Sequence, residues 1–393
     1  MGQQRPGPER LPVRTRRRFL AGGAAFAVAT AAGCIGGGNP DDDEGDGDGD
    51  GNADAGDSNH DADPGEDFTG VSPEGTSWEE LPDLEGSLHI YSGRSEHQID
   101  PIIRAIEDEY DGFSVDVRYE DNEALVARID EEGQNTPADI LYTQDSGTLG
   151  ALARMGRTVE LGADIRETVP SSWRDPDGTW TGVSGRTRCV AYNTDAWSAD
   201  ELPDDIFAFP ADERFEDEMG WRVDSGSFLA FVRAMMIENG EDRARAFIED
   251  MQAAGITSYE GGSTTPEAVA SGEVTVGFVN QYYVGRLLAD RPDEPVAGTF
   301  TDGDVGSLFN VSGTGVVDAS ENQQLAEHFV RHLLATEGQE LFVDLNKEYA
   351  VIPSVAYVGD LPSLDELNPP EFDLNQLADI EPAVDLLRET GLR

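Results

Sequence analysis

Residues 274–287 read VTVGFVNQYYVGRL and hold two successive tyrosines, Tyr282 and Tyr283. Neighbouring residues of a strand point to opposite faces. The two phenols therefore converge only where the strand gives way to a turn or a helix start. Asn280 and Gln281 are suitable breakers after a strand that ends at Val279. A phenolate oxygen is a hard, anionic donor, and a hard trivalent cation such as ferric ion is its natural partner. The charge of such an ion deprotonates a phenol whose ordinary pKa is about 10. The same pair also has a plain reading, in which one ring packs at the strand end and the other is exposed.

A second group with chemical potential is Ser225-Gly226-Ser227-Phe228, which opens a predicted helix. Unpaired backbone N–H groups and hydroxyls at a helix start suit a small anion such as phosphate or carbonate. A simple N-cap is the competing reading, and the two are compatible. Arg186 stands where the chain is expected to cross between two halves of the fold. It either faces a cleft, offsetting phenolate and carboxylate charge, or joins the halves through an ion pair.

These groups need a scaffold. Between residues 84 and 155 strand and helix signals alternate. Residues 88–91 read as a strand, Asp100-Pro101 as a helix start with Ile102, Ile103, Ile106 and Tyr110 on its apolar stripe, and residues 113–119 as an alternating strand. Leu125, Val126 and Ile129 mark a second helix, residues 138–142 a third strand, and Leu149, Leu152 and Met155 a third helix. A second series follows from residue 187, and Leu325, Ala326, Phe329, Val330, Leu333 and Leu334 form one face of a late helix. This order predicts an α/β fold of two lobes, with parallel strands covered by helices and a central ligand cleft beyond the strand ends.

The chain has 393 residues and a net charge of −52, from 79 acidic and 27 basic residues. Lys347 is the only lysine. Such an acidic, lysine-poor surface suits very high salt, where screening suppresses self-repulsion, and points to an extremely halophilic source. Nothing after residue 18 forms a basic patch, which argues against nucleic acid as a partner. The two cysteines, Cys34 and Cys189, allow no disulfide framework or metal knuckle. Cys189, among strand-like neighbours, reads as a buried small hydrophobe.

The first 34 residues read as an address. Thr15-Arg16-Arg17-Arg18-Phe19-Leu20 resembles a twin-arginine export signal, and the apolar run after it is short for a membrane span. Ala31-Ala32-Gly33-Cys34 resembles a lipobox, which makes Cys34 the lipidated first residue of the mature chain. Residues 35–83 follow as a tether, with 13 acidic residues between Asp41 and Asp67.

The folded region resembles the bacterial ferric-ion-binding proteins, class II solute-binding proteins of iron importers. The resemblance is carried, in order, by Tyr91-Ser92-Gly93-Arg94, Pro137-Ala138-Asp139-Ile140, Ser184-Gly185-Arg186-Thr187-Arg188, Asn280-Gln281-Tyr282-Tyr283 and Glu337-Gly338-Gln339. It implies that Tyr282 and Tyr283 are paired ligands of Fe3+, and that Ser225, Gly226, Ser227 and Asn280, with Arg186 nearby, hold a companion anion. It also implies two further ligands from the first lobe, where this chain departs from the pattern. Ser95 replaces the usual histidine, with Glu96 and His97 next in line to substitute, and Gln144 replaces a glutamate, with Asp145 beside it. The expected organisation is a signal over 1–34, a tether over 35–83, a first lobe over 84–186 completed by 311–360, and a second over 187–310 completed by 361–393. The expected partners are an ABC permease and its ATPase, with the membrane reached through the lipid on Cys34. The chain is expected to be a monomer at the outer face of the cell membrane.

Other functions remain open on the residues alone. The same fold carries thiamine, polyamines, phosphonates or sulfate-like anions, and tyrosines stack on cationic rings and amines as well as binding metal. A surface receptor without a transport role is a further alternative. Five histidines and the lack of an HExxH, GxSxG or P-loop string argue against an enzyme.

Overall fold

The computed structural model describes residues 72–393, apart from 358, 360, 365, 366 and 371. The export signal, Cys34 and most of the acidic tether lie outside the described residues.

Three parallel strands open the fold. β1 (Gly86–Ser92) lies between β2 (Phe113–Tyr119) and β3 (Ile140–Thr143). β3 pairs antiparallel with the late strand β9 (Phe309–Val316), which pairs in turn with β4 (Thr181–Asn193). β4 is 13 residues long and buried throughout. Thr181 to Thr187 pair with β9, whereas Arg188 to Tyr192 pair with β7 (Val276–Asn280). The change of partner between Thr187 and Arg188 carries the chain from one lobe to the other. Beyond it, β7 runs parallel to β5 (Met219–Trp221), β5 to β6 (Thr257–Ser258), and β8 (Val296–Thr299) lies on the end of β4. β3, β4, β7 and β9 are buried at every position, as strands covered on both faces must be.

Eleven helices cover these strands among the described residues. In the first lobe they are α1 (Glu96–Glu109), α2 (Asn122–Glu132), α3 (Ser146–Arg154) and α4 (Ala163–Thr168). In the second they are α5 (Gly226–Asn239), α6 (Glu241–Ala253), α7 (Thr264–Ser271) and α8 (Gln281–Asp290). α9 (Gln323–Leu334) and α10 (Thr336–Leu341) follow β9, and α11 (Glu381–Glu389) packs on α5. The apolar stripe expected of the late helix is seen on α9, where Ala326, Phe329, Val330, Leu333 and Leu334 are buried.

One local expectation fails. α1 starts at Glu96, not after Asp100, because Ser95 is its N-cap and the Gln98 side chain folds back to accept from the Ser95 hydroxyl at 2.7 Å. Pro101 therefore sits inside the helix and removes a hydrogen bond to the carbonyl of His97. Met155 also departs from its expected role, being exposed at the end of α3.

Candidate functional site

The tyrosine segment folds as its sequence requires. β7 ends at Asn280 and α8 starts at Gln281, so Tyr282 and Tyr283 occupy the first turn of a helix instead of alternating along a strand. Their rings lie 4.3 Å apart between centroids, inclined at 47°. The Asn280 side-chain amide donates to the Tyr282 hydroxyl at 3.3 Å. Arg286, one turn further along α8, places its guanidinium 4.7 Å from the centre of the Tyr282 ring and donates to the carbonyl of Asn346 at 3.2 Å. Tyr283 lies against Gly262, where a Cβ would overlap the phenol ring, so only glycine leaves room for it. Burial, and then the neighbouring Tyr282 phenol, push the Tyr283 pKa up from its ordinary value. An incoming cation must overcome that rise to create the phenolate.

Both tyrosines line a cleft of about 1720 Å³ between the lobes. Ser225, Gly226 and Ser227 line it as well. Ser225 caps α5, its hydroxyl accepting from the Phe228 N–H at 3.2 Å and lying 3.2 Å from the Ser227 hydroxyl. The cap satisfies the Phe228 N–H, and the helix start at Gly226 and Ser227 directs positive potential into the cleft. Behind Tyr283 the cleft continues into a small recess lined by Arg188, Arg222, Ser225, Ser227 and Asn280. Arg186 lines the cleft where β4 crosses between the lobes, with only 3% of its surface exposed. Burial lowers the Arg186 pKa, against the raising effect of Tyr282, Glu348 and Asp145. Burial likewise lowers that of Arg188, to about 10.

The first-lobe wall is built differently. His97, Gln144 and Asp145 line the cleft, but Glu96 is not among its lining residues although it precedes His97. At a helix start adjacent side chains diverge by about 100°, so only one of the two faces the cleft. Asp145 is the N-cap of α3, accepting from the Thr148 N–H at 3.0 Å and from the Asn122 side-chain amide at 2.5 Å. Gln144 is half-buried, and its carbonyl accepts from Ser312 at 3.3 Å. Among the described residues no group of three or more His, Cys, Asp or Glu side chains is placed to hold a metal.

Sequence reasoning missed Arg188, Arg222, Arg286 and Gly262. A signal existed for two of them. Arg186 and Arg188 alternate on one face of a strand otherwise rich in small and apolar residues, and Arg286 follows Tyr282 by one helical turn.

Two lobes meeting at crossing strands, with a polar cleft between helix N-termini, define the architecture of a protein that holds a small solute between its lobes. The chain matches the family described as bacterial extracellular solute-binding protein over residues 102–366, and it belongs to that family. It is 28% identical over 326 residues to iron uptake protein A1 of Synechocystis sp., covering 79% of this chain and 89% of that protein. It is 27% identical over 290 residues to the major ferric iron-binding protein of Neisseria meningitidis serogroup A, covering 72% and 86%. The crystal structure of iron-bound HitA from Pseudomonas aeruginosa matches with a TM-score of 0.71 at 29% identity, over 79% of this chain and 100% of that one.

Proposed function

We propose that this chain is the solute-binding component of an ABC importer that captures ferric ion outside the cytoplasm and hands it to the permease and its ATPase. Tyr282 and Tyr283 are its metal ligands. The observation that carries this reading is the meeting of the two phenols on one helical turn at the cleft, with the Arg286 guanidinium over the Tyr282 ring. A companion anion, phosphate or carbonate in the simplest case, sits at the start of α5 with Ser225, Gly226, Ser227 and Asn280 around it. His97 and Asp145 are the first-lobe groups that approach on closure, and Asp145 does so only by giving up part of its cap.

The protein is a carrier and not an enzyme. Residues 84–186 with 311–360 form one lobe, and residues 187–310 with 361–393 form the other. Closure is a hinge motion at β4 and at the β8–β9 connection. Cys34 carries the lipid that holds a monomer at the outer face of the membrane, after twin-arginine export, in a halophilic cell. No helix among the described residues is long and apolar enough to cross a membrane.

Loading the apo-protein with ferric ion in high salt is expected to give a visible tyrosinate-to-iron charge-transfer band. The Tyr282→Phe, Tyr283→Phe double variant is expected to lose the band and retain no iron. Iron held at unchanged affinity by the double variant removes the pair from the site. A colourless iron-loaded native protein rejects the ferric reading altogether.

A further inference from the structure

The tyrosine pair is preceded by Gln281, a polar residue that is fully buried. Both ends of its amide are used, by segments distant in sequence. Its carbonyl oxygen accepts from the Thr187 N–H at 3.0 Å, and its amide nitrogen donates to the carbonyl of Lys347 at 3.2 Å. The N–H can only donate and the carbonyl can only accept, so the partners fix the orientation of the amide. Thr187 is the last residue of β4 to pair with β9, and Arg188 is the first to pair with β7. At such a change of partner a buried N–H needs an acceptor from outside the ladder. Here a side chain from the tyrosine turn supplies it.

Lys347 is unusual in its own right. Its φ of 58° and ψ of 30° place it in the left-handed conformation that residues with a side chain rarely adopt. It ends a π-helical turn, Phe342–Asn346, that packs against α1 of the first lobe. Such turns are rare and collect at functional sites. This one holds both sides of the cleft. Arg286 of α8 donates to the Asn346 carbonyl at 3.2 Å, and the Asn346 side chain donates to the carbonyl of Gln98, beside His97 in the first turn of α1, at 3.0 Å. Next in the chain, Glu348 takes Arg94, and Tyr349 pairs with Gly185 of β4, two residues before Thr187. The helix that carries the phenols is thus bonded to the crossing strand and to a turn of the first lobe.

We infer that Gln281 is a positioning residue for the metal site, pinning the turn that carries Tyr282 and Tyr283 to the strand crossing and to the π-helical turn at the pivot of lobe closure. This rests on the ferric reading above and deepens it by naming what aligns the ligands. Two phenols on the first turn of a helix meet at one ion only if that turn is held against rotation. The first N–H groups of a helix lack partners within it, so side-chain anchors decide its direction. Gln281 anchors α8 at both ends of its amide, at the residue next to Tyr282. It is not among the residues lining the cleft, so it acts on the metal through the tyrosines. A node at the crossing moves least when the lobes rotate about the crossing strands. Ligands anchored there keep one mutual geometry in the open and closed forms.

The test compares two methionine substitutions in the full chain, in high salt, loaded with ferric ion. Gln281→Met keeps the length of the side chain and removes both bonds. Gln339→Met removes an equally buried amide away from the cleft lining, one that donates to the carbonyls of Val183 and Leu333 and accepts from the Val351 N–H. Both are expected to lower the midpoint of thermal unfolding. Only Gln281→Met is expected to bind ferric ion about tenfold or more weakly, the loss of two hydrogen bonds that hold the ligand turn, with a shifted or weakened charge-transfer band. A folded Gln281→Met with native affinity and band, or an equal loss of iron by both variants, makes Gln281 a structural residue and overturns the inference. If Gln281→Met does not fold, amide-resolved hydrogen exchange on the native protein decides. The Thr187 N–H is expected to stay protected with and without iron, and loss of that protection on loading overturns the pin. A native protein that forms no band rejects the ferric reading, and the role of Gln281 with it. A native band that Gln281→Met leaves unchanged rejects the pin alone.

Discussion

The two walls of the cleft place similar residue types in opposite states. On the first-lobe side the polar groups are spent within the protein. Asp145 caps α3 and holds Asn122, Ser95 holds Gln98, and Arg94 is closed off by Glu348 and the Ser184 hydroxyl. On the second-lobe side and at the strand crossing they are left open. The tyrosines meet without an acidic partner, the start of α5 offers its N–H groups, and Arg186 and Arg188 carry unanswered charge. The contrast assigns a division of labour. On the function proposed above, the second-lobe wall receives the guest and the first-lobe wall closes over it. Stability is concentrated where charges are matched, and binding where they are not.

The sharpest way to break this comparison is to exchange the fates of two arginines. Arg94 is wholly buried and meets Glu348 through both of its terminal nitrogens. Arg94→Gln leaves a buried carboxylate uncompensated and is expected to cost about 3–5 kcal/mol of unfolding free energy in a denaturant titration. Arg186→Gln removes a cation that has no such partner, so the apo-protein is expected to lose no stability or to gain some. Equal destabilisation by both variants erases the distinction between matched and unmatched charge.

Acid is the next test, and it bears on the open wall. Burial and the adjacent phenol raise the Tyr283 pKa, so a cation must work harder to displace its proton. Binding through two phenolates releases two protons, so the sign is fixed. Affinity falls as pH falls, by about 100-fold per pH unit when chelator and iron species are held constant. Competitive iron titrations at several pH values measure the slope. A slope near zero means that the phenols remain protonated and do not ligate.

Much of this open wall was legible in the sequence, and the reason is local. The meeting of Tyr282 and Tyr283 depends on one event, the end of β7 at Asn280, and the breaker residues sit in the same segment. The helix start at Ser225 is likewise encoded by neighbours, with the capping hydroxyl three residues before the N–H it satisfies. The closing wall was harder to read because its contacts are distant in sequence. Asp145 looked available from its position beside Gln144, but Asn122, which binds it, comes 23 residues earlier. The start of α1 was misplaced because the Asp100-Pro101 pair resembles a helix start more closely than Ser95 with Gln98 does. The room for Tyr283 depends on Gly262, a contact between separate segments that no local pattern announces.

The smallest expected effect belongs to the first-lobe candidates, and it decides how far the division of labour extends. Asp145→Ala removes the cap of α3 and one partner of Asn122, which predicts about 1 kcal/mol of lost stability. His97 is exposed and makes only a 3.5 Å contact with the Ser95 hydroxyl, so His97→Ala is expected to leave stability unchanged. If the first lobe only closes over a cargo already held by the phenols and the arginines, each substitution weakens iron binding by no more than a few-fold. The loss then appears as faster release from the closed form. A loss from either variant as large as that of a single tyrosine makes that residue a ligand in its own right. It would also show that the shell is completed across the cleft by the protein. Stopped-flow release of iron to an excess of competing chelator, compared with equilibrium affinity for each variant, separates a closing surface from a metal ligand.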